Sequence, residues 1–193
     1  KDDHEVETDL SDLTVKFDAK KILILTGQNS FSESEAENFL ITELKDKYKK
    51  ANFYSDFENN PKIEDLTQAI QKLRSKDIEL IIACGGGSVI DFAKLLKVYL
   101  YDASSILDFP GKYKNPSKSQ ISMIAIPTTA GTGSEATHFS VLYYNKKKYS
   151  IASDHMLPDY SVLNSSICLN ASLKIKSSCV IDAFSQAIES FWS

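Results

Sequence analysis

Arginine is all but missing from this sequence. Arg74 is the single guanidinium in 193 residues, and 26 acidic side chains outnumber 22 basic ones, for a net charge of −4 and a pI near 5.4. A protein that neutralises nucleic-acid phosphates needs a basic face with bidentate donors, so a general nucleic-acid binder is excluded. Lys146-Lys147-Lys148 is the one basic cluster worth noting. Cysteine is scarce too: Cys84, Cys168 and Cys179 are odd in number, lack metal-ligand spacing and stand in apolar contexts. A disulfide framework is therefore excluded, and reduced thiols in a cytoplasmic protein are expected. No apolar run reaches the roughly 20 residues of a membrane span. Lys1-Asp2-Asp3-His4-Glu5 does not have the pattern of a signal peptide, and neither internal repeats nor low-complexity tracts occur. A chain that starts without Met and stops inside a helical pattern is expected to be processed or incomplete.

What is present is ordinary for a globular protein, at 42% hydrophobic and 25% charged, and long enough for one full core with the start of another domain. The chain is organised around Leu80-Ile81-Ile82-Ala83-Cys84-Gly85-Gly86-Gly87-Ser88-Val89-Ile90-Asp91-Phe92-Ala93-Lys94. Its uncharged first part reads as a strand buried on both faces, the glycines as a turn without Cβ atoms, and Ser88 as the cap of an amphipathic helix. Such a unit places bare N–H groups and the positive end of a helix dipole at one spot, where anions bind. The spacing is neither G-x-G-x-x-G nor a P-loop.

Either side of this unit, apolar runs alternate with helical patterns. Val6, Leu10, Leu13 and Phe17 share a helical face, Lys21–Thr26 reads as a first buried strand, and a helix follows to about Tyr48, capped by Ser32 or Ser34. Ala51–Ser55 reads as a second strand, and Pro61 opens a helix through Ile63, Leu66, Ile70 and Leu73. The helix after the glycines shows Val89, Ala93, Leu96 and Leu100 as its apolar stripe, with Lys94 and Lys97 off it. Asp102–Ser119 is a polar loop and Ile121–Ile126 another strand. His138–Tyr144 and Tyr149–Ala152 read as a hairpin around Asn145–Lys148, Tyr160–Leu163 as one more strand, and the pattern is helical from about Ala171. The fold class is α/β: a Rossmann-like parallel sheet with helices on both faces, followed by the start of an all-helical unit, divided at residues 1–170 and 171–193. Ligands bind such sheets beyond the carboxyl ends of the strands.

A second cluster follows the Ile121–Ile126 strand. Thr128, Thr129, Thr132 and Ser134 crowd hydroxyls onto a loop opened by Gly131 and Gly133. Uncharged hydroxyls suit ribose, amide and phosphate oxygens better than a metal; the lesser alternative is a set of Ser/Thr turns that cap the next element.

Gly85-Gly86-Gly87-Ser88-Val89-Ile90-Asp91-Phe92-Ala93-Lys94 resembles the GGGSxxDxAK motif of the iron-containing alcohol dehydrogenases, and Pro127-Thr128-Thr129-Ala130-Gly131-Thr132-Gly133-Ser134-Glu135 is similar to their PTTAGTGSE signature. The two stand in the family's order, about forty residues apart, and the resemblance covers nearly the whole chain. It implies that Gly86, Gly87 and Ser88 hold the pyrophosphate of a nicotinamide dinucleotide, with Asp91 near the ribose and nicotinamide; on residue type alone Asp91 serves the helix dipole. It implies cofactor contacts for Thr128, Thr129, Thr132 and Ser134, and for Lys148, which otherwise reads as a solvated turn lysine. NAD-preferring members tend to carry an Asp where the first strand ends, and here Thr26-Gly27-Gln28-Asn29-Ser30 has no carboxylate. With Gly27 small and Ser30 a donor, NADP is the expected cofactor and NAD an alternative.

The resemblance also implies a divalent metal, Fe(II) or Zn(II), held by an Asp, a His four residues on, and two distant His. Asp182 is in place, Gln186 stands where that His is expected, and the distal ligands would lie beyond Ser193. An amide oxygen is the poorer ligand for such an ion. Gln186, the Thr-Gly-x-x-Ser-Phe turn and the Ile188–Ser193 ending resemble the phosphonoacetaldehyde reductase branch. The activity implied is reduction of a small aldehyde to an alcohol, with these 193 residues inactive alone and the full-length protein a homo-oligomer. A nucleotide-binding module without catalysis and a dehydroquinate synthase-like lyase are the alternatives.

Overall fold

The computed structural model describes residues 9–28, 31, 35–103, 106, 119–169 and 171–192. Five strands form one parallel sheet in the order β2-β1-β3-β4-β7: β1 Ile22–Thr26, β2 Asn52–Tyr54, β3 Leu80–Gly85, β4 Ser122–Pro127 and β7 Tyr160–Ser161. Side chains alternate across a strand, and the three central strands send one set to each face. Leu23, Leu25, Ile81, Ala83, Met123 and Ala125 pack with helices α4 (Ile63–Leu73) and α5 (Gly87–Tyr99). Ile22, Ile24, Leu80, Ile82, Cys84, Ile124 and Ile126 pack with α1 (Leu10–Thr14), α2 (Ala36–Leu44) and Ile167 of α6 (Ser165–Cys168). Helices thus cover both faces, as the uncharged strand runs require. Burial also pushes the Cys84 thiol up to about 12, which keeps it an inert packing group.

Several local expectations change. The helix expected to reach Tyr48 breaks into α2 and α3 (Asp46–Lys50), because Lys45 adopts φ 50°. Ser88 does not cap α5: the cap is Gly86, in extended backbone, and Ser88 lies inside the first turn. The hairpin stands apart from the parallel sheet, with β5 (Phe139–Tyr144) paired to β6 (Lys147–Ala152) and α5 beneath. Its turn is only Asn145-Lys146, both at positive φ (48° and 62°), the backbone of a two-residue hairpin whose twist matches its strands. Lys148 is therefore a strand residue opposite Tyr143.

Lys94 and Lys97 are buried, against the expectation that they lie off the apolar stripe. The hairpin and the segment before β7 close over that side of α5, and each ammonium finds oxygen there. Lys97 donates to the Leu157 carbonyl at 2.7 Å and to Asp159 at 2.9 Å. The last helix, α7 (Leu173–Trp192), contributes no buried residue, and Leu173, Val180, Ile181, Phe184, Phe191 and Trp192 are exposed along it. Among the described residues no helix is long and apolar enough to cross a membrane.

Candidate functional site

Strands β3 and β4 end side by side, with Gly85 opposite Pro127 and the Thr128 N–H donating to the Gly85 carbonyl at 3.0 Å. Both motif loops therefore leave the sheet at the same carboxyl edge. A Cβ on Gly86 would stand 3.2 Å from Thr129 Oγ1, and one on Gly87 would stand 3.2 Å from Thr132 Cγ2. The glycine turn thus faces the hydroxyl loop across a gap that a side chain would fill. Gly131 (φ 135°) and Gly133 (φ 63°) give that loop a backbone that L side chains rarely adopt, and a side chain at Gly131 would strike the Cys179 carbonyl of α7.

In front of these loops opens a cleft of about 600 Å³, lined by Gly27, Gly86, Gly87, Ser88, Thr128 and Thr129 from the candidate set. The first-turn N–H groups of Gly87 and Ser88 have no carbonyl behind them in the helix, and both residues line the cleft. Asn60 N–H donates to Ser88 Oγ at 3.3 Å, which ties the loop after β2 to the helix start. Phe57 on that loop stacks on Phe92 of α5 at 4.2 Å, and its carbonyl accepts from Gln28 Nε2 at 3.3 Å. Glu58, Asn59 and Ile175 of α7 complete the wall.

Other candidates lie behind the cleft. Ser134 is buried (7% exposed); its hydroxyl donates to Asp91 Oδ1 at 2.5 Å and accepts from Lys94 Nζ at 3.2 Å. Asp91 is past the first turn of α5, and its Oδ2 accepts from the Val141 N–H at 3.0 Å, so it serves as the clasp for β5. Lys94, fully buried, also donates to Thr137 Oγ1 and to the Phe139 carbonyl, each at 2.9 Å. Burial lowers its pKa to about 8, against the pull of Asp91 and Glu135. Lys148 is exposed on β6 and is not part of the cleft wall. Ser30 lies outside the described residues.

Sequence reasoning missed Lys94, Glu58 and Gln28. The i, i+3 spacing of Asp91 and Lys94 is the signal that points to the first. Glu58 and Gln28 carry no local signal, since only the parallel pairing of β1 with β2 brings their loops together.

Comparison with known proteins bears directly on this arrangement. The family model for iron-containing alcohol dehydrogenases matches residues 4–165. The chain belongs to the iron-containing alcohol dehydrogenase family. Among relatives of this iron-containing alcohol dehydrogenase chain, long-chain-alcohol dehydrogenase 1 of Geobacillus thermodenitrificans is 28% identical over 91% of the chain and 45% of its own length. Sulfoacetaldehyde reductase of Bilophila wadsworthia is 31% identical over 72% and 36%. The crystal structure of sulfoacetaldehyde reductase from Bifidobacterium kashiwanohense in complex with NAD+ superposes with a TM-score of 0.83 at 31% identity, over 96% of this chain and 49% of that one. The chain thus spans about half the length of the relatives it matches along most of its own length.

The family implies a dinucleotide and a metal, and the residues treat the two differently. A dinucleotide fits: the cleft volume lies within the range of ligand pockets, and the glycine cradle is a space any Cβ would fill. The metal does not fit the described residues alone. Asp182 and Gln186 share a face of α7, where the Gln186 amide donates to Asp182 Oδ2 at 3.0 Å. Among the described residues no group of three or more His, Cys, Asp and Glu could hold an ion. Two oxygens are half of the four donors a closed site provides.

Proposed function

We propose that this chain is the nucleotide-binding part of an NAD(P)H-dependent reductase of small aldehydes, with residues 1–170 as the dinucleotide-binding unit and α7 as the first helix of a helical metal and substrate unit. One observation carries the reading: a side-chain-free glycine turn faces a threonine-rich loop across an open cleft at the carboxyl edge of the parallel sheet. A bound nicotinamide would supply hydride to the carbonyl carbon of the aldehyde. In this reading the amides of Gly87 and Ser88 hold the diphosphate, and Thr128 and Thr129 orient the nucleotide by hydrogen bonds from the opposite wall.

NADPH is the preferred nucleotide, supported by the turn at the end of β1, Thr26-Gly27-Gln28-Asn29-Ser30, which itself carries no carboxylate. The substrate proposed is a short aldehyde bearing an anionic group, phosphonoacetaldehyde or the sulfoacetaldehyde named for two relatives. The protein is read as cytoplasmic and self-associating at full length. Asp182 and Gln186 do not make a metal site between them.

That same pair supports a second reading, a module that binds nucleotide without turnover. Titrating the protein with NADPH and NADH, then following NADPH absorbance with both anionic aldehydes and with uncharged short aldehydes in the presence of Fe(II), separates the two. Saturable binding with faster oxidation by an anionic aldehyde supports the reductase. Binding without oxidation across the panel favours the module, and no binding at millimolar nucleotide removes both.

A further inference from the structure

Glu58 is the only charged residue among the described residues that line the cleft. Its place is fixed from three directions. Its own N–H donates to Asp65 Oδ2 at 3.2 Å, Phe57 beside it is stacked on Phe92, and the Phe57 carbonyl is held by Gln28, the neighbour of Gly27. The carboxylate missing at the end of β1 is therefore supplied to the same rim by the loop after β2. It does not stand alone: Lys62 Nζ, four residues on at the start of α4, lies 2.5 Å from Glu58 Oε2. Lys62 lines an adjoining groove that shares Glu58 and Asn59 with the cleft.

We propose that the Glu58–Lys62 pair, beside the turn after β1, reads the 2′ position of the adenosine ribose: Glu58 accepts from a free 2′-hydroxyl, and Lys62 receives a 2′-phosphate. The proposal rests on the cleft holding a dinucleotide. Both side chains are substantially exposed, at 42% for Lys62 and 69% for Glu58, and an exposed ion pair is held weakly, so a ligand phosphate can exchange for the carboxylate. The hydrogen bond to Glu58, with Asp65 and Glu64 nearby, keeps the Lys62 ammonium charged. An unpaired Glu58 would repel a 2′-phosphate; paired, it leaves room for one.

Equilibrium titration of the chain with NADH and NADPH, followed by nicotinamide fluorescence, tests this in the wild type, Glu58→Gln and Lys62→Met. Removing one charge at the phosphate is expected to change the NADPH-to-NADH affinity ratio about tenfold, upward in Glu58→Gln and downward in Lys62→Met. Neither residue is in the core, so unchanged melting temperatures confirm that both variants are folded. Affinity ratios within twofold of wild type in both variants overturn the assignment while leaving nucleotide binding intact. Failure of the wild type to bind either dinucleotide overturns the functional reading itself, and the assignment with it.

Discussion

The two motifs each divide into a half that faces the cleft and a half that faces the core. Gly86, Gly87, Ser88, Thr128 and Thr129 present backbone and hydroxyls to open space, whereas Asp91, Lys94 and Ser134, a few residues later in the same motifs, bond to one another beneath the hairpin. The first half owes its character to what is missing, side chains and charge. The second depends on charges that are buried and fully occupied. On the proposed reading the first half would meet the nucleotide, while the second holds the hairpin onto α5.

The largest effect is expected on the clasp. Lys94→Met keeps the volume but withdraws one donor from Ser134, Thr137 and the Phe139 carbonyl together, and leaves Asp91 without its buried cation. A loss of about 3 kcal/mol in urea unfolding is expected, since breaking a buried pair costs more than the pair contributes. A loss below about 1 kcal/mol, the scale of a surface pair, would place the ammonium in water and undo the comparison.

The same side chain gives the comparison a pH test. The Lys94 pKa is lowered from the ordinary 10.5 to about 8, so between those values the unfolded chain binds more protons than the folded one. Stability contributed at Lys94 therefore rises with pH across that window, and the gap between wild type and Lys94→Met widens from pH 8 to pH 10. A flat gap would mean that the amine is not desolvated.

The cleft half should respond in the opposite manner. Gly86→Val places its side chain in the gap toward Thr129, and nucleotide affinity is expected to fall at least about tenfold, the loss of a main-chain phosphate contact. Gly86 adopts extended backbone open to any residue, so urea stability should move by less than about 1 kcal/mol. Fluorescence titration beside an unfolding curve checks both halves of this expectation, and a large stability loss with affinity unchanged would reverse the roles assigned here.

The sheet and the cleft were legible because they rest on local signals. Uncharged runs such as Leu80–Cys84 have to be buried on both faces, and three successive glycines have to leave backbone bare. The clasp was not legible. Lys94 reads as a surface residue on any helical projection, and only the hairpin, fifty residues away in sequence from Asp91 to Val141, supplies the oxygens that allow it inside. Glu58 was hidden for the same reason, since its relation to Gly27 exists only through β1–β2 pairing. Ser88 illustrates a different gap: a Ser before a helical pattern suggests a cap, yet Gly86 and Gly87 continue into helix without one and shift the start by two positions.

The smallest effect separates the hairpin that the clasp holds from the cleft. Lys146 sits at φ 62° in the two-residue turn, a conformation that costs an L side chain about 1 kcal/mol and that glycine adopts freely. Asn145 already suits the first turn position, so Lys146→Gly completes the preferred Asn-Gly pair. A gain of about 0.5 kcal/mol is expected in urea unfolding, after allowance for the entropy glycine adds to the unfolded chain. Affinity for NADPH should stay within about twofold, because Lys146 lines the groove beside the cleft and, unlike Lys62, is not paired with Glu58 of the cleft wall. If affinity instead drops about tenfold with stability raised, Lys146 is itself a nucleotide contact, and the boundary drawn here between clasp and cleft must move outward to include the hairpin tip.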